Sequence, residues 1–402
     1  MIKPGGGHLL RQIGAHEHAR VTYIELFFDL VFVFAITQLS HSLLNHLTWS
    51  GALHVLLLFM AVWWVWIYTS WVTNWLDPER TPVRILLLAL MLAGLMLSTS
   101  LPEAFYDKGL PFAIAYVFMQ VGRSLFMLWG LGDANPVNTK NFQRITLWLI
   151  ASAPLWIAGA IASGDTRLYL WIGALAIEYA GPSLGFWVPR MGRSTTGDWN
   201  VEGAHLAERC SLFIIIALGE SILVTGIAFA ELSWRWIDFA AFITAFIGTV
   251  AMWWIYFDTG AARGSERISH SSDPGRLARL DYTYLHLLIV AGIIVSAVAD
   301  ELILAHALNP PGGHAEPPAI AVIIGGPALY LLGNLLFKAT FSRRAPPSHM
   351  VGLICLAVLT PAALYLPPIL SGVATTAVLI MVATWETVSL TRQRLRDHRK
   401  AT

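Results

Sequence analysis

Residues 22–44 read TYIELFFDLVFVFAITQLSHSLL. A helix needs about twenty apolar residues to cross the ~30 Å hydrocarbon core of a bilayer, and this run breaks its apolar character early only at Glu25 and Asp29. Eleven more runs follow near 52–73, 84–101, 111–131, 145–162, 168–188, 206–229, 236–257, 281–300, 318–338, 349–366 and 370–390. Strands with open edges leave backbone groups unpaired in lipid, so the spans are expected to be helical. The reading is an all-α polytopic membrane protein with about twelve transmembrane helices.

Composition points the same way. Of 402 residues, 56% are hydrophobic and 13% charged, where a soluble domain carries about 25% charged residues. That difference excludes an ordinary soluble enzyme and a disordered chain. A net charge of +1 supplies no basic field, so nucleic acid is not an expected partner. Cys210 and Cys355 form no zinc spacing or disulfide framework. The first twenty residues lack the apolar core of a signal peptide and are expected to stay as a segment on the cytoplasmic side.

Orientation follows from the Lys and Arg of the loops. Both termini and the loops after even-numbered spans hold 21 of the 26. The opposite loops hold Lys108, Arg167 and Arg235, and Arg123 and Arg209 fall within spans. Both termini are therefore expected in the cytoplasm.

The second half repeats the first. AGLMLSTSLPEA (93–104) aligns with AGIIVSAVADEL (291–302), and WVWIY (64–68) with MWWIY (252–256). Pro154 matches Pro361, and Glu178 matches Glu386. The expected organisation is a segment 1–20, a first six-helix repeat 21–190, a linker 191–204, a second repeat 205–390 and a basic tail 391–402. An even number of helices per repeat makes the two parallel, and such repeats commonly enclose a pathway. The arginines of the tail suit anionic lipid.

Charged residues far from helix ends are costly in lipid and mark sites. Glu25 and Asp29 lie four apart, on one helix face. Two acids so close in low dielectric are hard to ionise together, which suits proton exchange. Phe32 and Ile36 continue that stripe as a candidate hydrophobic gate. Arg123 is too deep to reach water and is expected to pair with Glu25, Asp29 or Glu178. Glu178 and Glu220 are the other candidate pathway acids, and Gly219 and Ser221 beside Glu220 would permit close helix approach or backbone access to a cavity. Glu208 and Arg209, with His205 and Glu386, read as charges near helix ends, Glu208 and Arg209 being candidates for charge pairing. His41, His46 and His54 have no metal spacing, and no metal or cofactor is expected. The Trp-rich run 63–71 reads as packing and interfacial belt. No P-loop, GxSxG, HExxH or CxxC is found, so no constellation calls for an enzyme.

ELFFDLVFVFAITQL (25–39), HLAERCSLFIIIALGESI (205–222), DPERTPVRILLLALMLAGLMLSTSLPEAF (77–105) and YVFMQVGRSL (116–125) resemble the bacterial low temperature requirement protein A family over about residues 16–390. That resemblance implies a multi-pass protein of the bacterial plasma membrane, without implying an activity. FFDLVFVFAITQL is distantly similar to the FSDGVFAIAxTLL pore-helix signature of the endosomal and lysosomal potassium channel family. Phe27, Asp29, Val31, Phe32, Ala35, Thr37 and Leu39 match; Phe28 and Leu30 depart. The similarity implies a cation pore lined by first helices of six-helix repeats.

The function expected from these readings is translocation of a cation or proton between the two repeats, with Asp29 and Glu220 as its charged elements. A carrier for a small organic solute is one alternative. A non-transporting membrane protein, either a lipid-related enzyme or a scaffold needed in the cold, is another.

Overall fold

The computed structural model describes residues 9–11, 20–132, 135–199, 201–306, 316–342 and 345–401. Its main helices are α1 (Tyr23–Asn45), α2 (Trp49–Trp75), α3 (Thr81–Ser100), α4 (Gly109–Leu131), α5 (Pro136–Ile161), α6 (Gly164–Ser183), α7 (Gly203–Ala230), α8 (Trp236–Ser269), α9 (Pro274–Ala305), α10 (Pro317–Phe341), α11 (Pro347–Ala363) and α12 (Pro368–Ala401). Among the described residues, ten helices are long and apolar enough to cross a membrane. The other two lie on the sixth and eleventh runs read from sequence. In α6, Asp165, Arg167 and Glu178 dilute the hydropathy, and α11 has 17 residues. The chain is thus an all-α, multi-pass membrane protein.

Helix starts follow local chemistry. Asn135 caps α5 by accepting from the Asn138 amide at 3.1 Å, with Pro136 in the first turn. Proline at that position needs no hydrogen bond and already has helical φ. On α3, Val83, Leu87, Leu90 and Leu97 are buried, whereas Ile85, Leu88, Leu92 and Leu95 are exposed. A helix apolar on both faces has lipid on one of them. α12 continues past residue 390, where the sequence suggests a separate tail. The side chains of Arg394, Arg396, Arg399 and Lys400, and most of the segment 1–20, lie outside the described residues.

The chain forms two compact units. The first comprises Met1–Ser42, Ser50–Cys210 and Ile268–Thr283, and the second Leu43–Trp49, Ser211–Arg267 and Tyr284–Thr402.

The first unit is organised on α2. Trp63, Trp64 and Trp66 are fully buried, so these rings serve packing rather than an interfacial belt. Each has a defined neighbour. Trp63 Nε1 donates to the Thr283 carbonyl at 2.8 Å, and Trp64 stacks on Tyr179 with centroids 3.8 Å apart. A π-helical turn, Phe118–Gly122, interrupts α4 and carries Gln120. Such turns displace a side chain from the regular register and often mark functional positions.

The second unit is organised on α9 and α10, whose backbones touch through small residues. A Cβ added to Gly326 would lie 2.6 Å from the Ser296 amide, and one added to Gly333 would lie 2.9 Å from that of Ile289. Small residues are how membrane helices gain close van der Waals packing without a hydrophobic driving force between them. Phe229, Ala241, Ile303, Ile323 and Ile369 form an apolar cluster in this unit.

Candidate functional site

Glu25 and Asp29 occupy successive turns of α1, and His205 and Arg209 occupy successive turns of α7. The two four-residue spacings complement one another. Arg209 Nη2 donates to Asp29 Oδ1 at 2.6 Å, and its Nη1 lies 3.3 Å from Glu25 Oε1. His205 Nε2 lies 3.0 Å from the same Glu25 oxygen. Asn74 on α2 donates to His205 Nδ1 at 3.2 Å, and Arg11 Nη2 lies 3.1 Å from His205 Nε2. Asn74 is itself fixed by a reciprocal pair of 2.8 Å bonds with the Glu202 backbone.

Arg11 completes the charge balance. Its backbone amide donates to the Trp75 carbonyl at 2.8 Å, its Nε donates to the Thr73 carbonyl at 2.8 Å, and its Nη2 donates to Glu25 Oε2 at 3.0 Å. Thr22 supplies two further donors to Glu25 Oε2, amide and hydroxyl, each at 2.9 Å. The cluster holds two carboxylates and two guanidiniums, with Glu25, Asp29, His205 and Arg209 all at 0% exposure. Opposite charges at this burial must pair, because an isolated ion there is strongly destabilising.

The satisfaction of the two acids is unequal. Both Trp66 Nε1, at 2.8 Å, and Arg209 donate to Asp29 Oδ1. Asp29 Oδ2 is buried and accepts no hydrogen bond among the described residues; Arg209 Nε likewise donates none. One oxygen of the acid at the centre of the cluster is therefore open.

Glu178 on α6 has the opposite construction. Its Oε2 accepts from Tyr116 at 2.6 Å and Gln120 at 2.9 Å, and its Oε1 accepts from Ser152 at 2.7 Å and Trp156 at 2.9 Å. Arg123 reaches this carboxylate only through Gln120, to whose Oε1 it donates. Its other bonds go to the Val65 carbonyl at 3.2 Å and to Thr69 Oγ1 at 3.0 Å, with Tyr68 beneath the guanidinium. The direct ion pair expected for Arg123 is replaced by neutral acceptors, because the π-turn places the Gln120 amide between cation and acid.

The remaining expected residues fall as follows. Phe32 and Ile36 are buried at 2% exposure each. Glu208 is exposed and accepts from the Val21 amide at 3.2 Å. Glu220 is buried in the second unit. A Cβ on Gly219 would meet nothing within 4 Å, so this glycine is not a point of close helix approach. Glu386, read as interfacial, pairs with buried Lys338 at 2.6 Å and lies 3.4 Å from His349 Nδ1. Arg209 and His205, also read as near-interfacial, are instead at the heart of the acid cluster. Their signal was present as the spacing in HLAER (205–209), which mirrors ELFFD (25–29). Arg11, Trp66 and Asn74 carried no comparable signal.

An all-helical, multi-pass membrane protein with a charge-balanced cluster buried between its helices is the class these features define. The sequence profile described as bacterial low temperature requirement A protein (LtrA) matches residues 20–384, and the chain belongs to that family. It is 41% identical over 395 residues to a Rhizobium meliloti (strain 1021) protein described as uncharacterized protein RA0937, covering 96% of this chain and 93% of that one. No solved structure matches.

Proposed function

We propose that the protein translocates protons, with Asp29 as the exchange group and Arg209 as the cation that holds it when charged. The observation that carries this reading is the open Oδ2 of Asp29, a carboxylate oxygen at 0% exposure with no described hydrogen bond. A fully enclosed oxygen suits a proton, which needs no room, better than a hydrated ion. Glu25 holds Arg209 from its other side, so the guanidinium keeps a counter-charge whichever state Asp29 adopts. His205, sharing Glu25 Oε1 with Arg209, is a titratable group on the same network. The likeness of residues 27–39 to a cation-channel helix supports positive charge as the cargo class. Transport, rather than chemical transformation of a substrate, is the role proposed.

The same reading takes the chain as two six-helix repeats. In each, an acid on the sixth helix is held by the fourth and fifth: Glu178 by Tyr116, Gln120, Ser152 and Trp156, and Glu386 by Lys338 and His349. In each, a cation of the fourth helix donates to a carbonyl of the second, Arg123 to Val65 and Lys338 to Ile255. With the termini cytoplasmic, as the loop charges imply, Asp29 lies less than two turns into α1 from the cytoplasmic side.

Purified protein in liposomes carrying an internal pH-sensitive dye tests the proposal. An imposed proton gradient should collapse faster with wild type than in empty liposomes, and Asp29→Asn should lose the excess rate while keeping its melting temperature within a few degrees. Wild-type rates equal to empty liposomes, or full flux in folded Asp29→Asn, would overturn it.

A further inference from the structure

A further acid, partly exposed, lies in the second unit. Asp300 on α9 lines a cavity of about 20 Å³ together with Ser296, Thr375 and Thr376. A space of roughly 10–15 Å³ by this measure holds one water molecule, so the cavity takes one small species. Gly248 and Gly372 also line it. A Cβ on Gly248 would lie 3.2 Å from Thr376 Oγ1, so the glycine leaves that hydroxyl its room.

The two threonine oxygens there are in acceptor form. Thr375 donates its hydroxyl proton to the Gly372 carbonyl at 3.0 Å, and Thr376 donates to the Thr244 carbonyl at 3.5 Å. Once the proton is committed to backbone, the lone pairs of a hydroxyl remain for another partner. Ser296 is 5% exposed, and its Oγ has no hydrogen-bond partner among the described residues. Asp300 has no described hydrogen bond or ion pair either. A carboxylate without a described partner, facing hydroxyl oxygens across a cavity of this size, is a ligand set for a small cation.

We propose that Asp300, Ser296, Thr375 and Thr376 form a binding site for one dehydrated sodium ion. A single carboxylate matches a monovalent charge; divalent ions of this hardness draw on more carboxylates or retain several waters. The cavity is too small for a hydrated ion, and the strong field of a carboxylate ligand favours sodium over potassium. In the internal alignment the position of Asp300 is Pro102 in the first half, and Ser98, matching Ser296, donates to the Gly94 carbonyl at 2.7 Å. The site therefore belongs to the second half alone, and it does not depend on proton exchange at Asp29.

The test is thermal unfolding of the detergent-purified full chain in sodium, potassium or choline chloride at equal ionic strength. Sodium should give a saturable rise in melting temperature of several degrees over choline, as expected for a ligand that binds only the folded state, with potassium well below it. Asp300→Asn should abolish that rise, and Ser296→Ala should raise the half-saturating sodium concentration about tenfold. Ser296→Ala keeps the question decidable if Asp300→Asn does not fold. No sodium-specific rise in wild type would overturn the proposal, as would the same half-saturation in Ser296→Ala.

Discussion

Asp29 and Glu178 are both buried carboxylates of the first unit, and their surroundings are built from opposite materials. Glu178 receives four neutral donors, two on each oxygen. Asp29 receives one indole and one guanidinium, both on the same oxygen. A saturated shell of short neutral bonds holds a charge in one arrangement, since any change of state leaves several donors orphaned. An ion pair with an open oxygen has somewhere for a proton to go. That contrast in geometry is the ground for proposing Asp29 rather than Glu178 as the exchange group, although both look alike as lone acids in apolar runs.

Substitutions can break that contrast. The largest effect is expected for Arg209→Met, which leaves Glu25 and Asp29 facing each other with one guanidinium fewer. Removing one partner of a buried ion pair costs about 3–5 kcal/mol, read as a large fall in melting temperature. If Arg209→Met is as stable as wild type, the cluster is not held by charge. Glu178→Gln comes next. Its amide nitrogen would face one hydroxyl, which can turn to accept, and one N–H donor, which cannot, so a loss of about 1–3 kcal/mol in chemical or thermal unfolding is expected. A neutral outcome there would mean that the four-donor shell does not require a carboxylate. Ser152→Ala removes one of the four donors and should cost only about 1–2 kcal/mol, with proton flux per folded protein unchanged. A flux loss in Ser152→Ala at preserved stability would move the working role to Glu178.

The helical, membrane-spanning class was legible because hydropathy and loop charge act on whole segments. The face shared by Glu25 and Asp29 was legible from helical period, as was the presence of two conspicuous motifs at 25–39 and 205–222. Their mutual engagement was not. Helical spacing states which residues share a face but not which other helix that face meets. Arg209 is the seventh residue of α7 and reads as able to reach water; only the tertiary fold shows that it is enclosed. Arg11 is placed by backbone bonds between residues 9–11 and the end of α2, which leave no periodic trace. Arg123 is buried, but its partner depends on a π-turn that sequence period does not announce. Asp300 lies beside Glu301 within two turns of the end of α9 and reads as part of a polar terminus.

The most direct measurement is infrared difference spectroscopy of the reconstituted protein across a pH change, reading the protonated-carboxyl stretch. The expected result is a carboxyl band that appears on acidification in wild type, persists in Glu178→Gln and is absent in Asp29→Asn. A band that survives in folded Asp29→Asn and vanishes in Glu178→Gln would contradict the assignment of Asp29 as the group that takes and releases the proton.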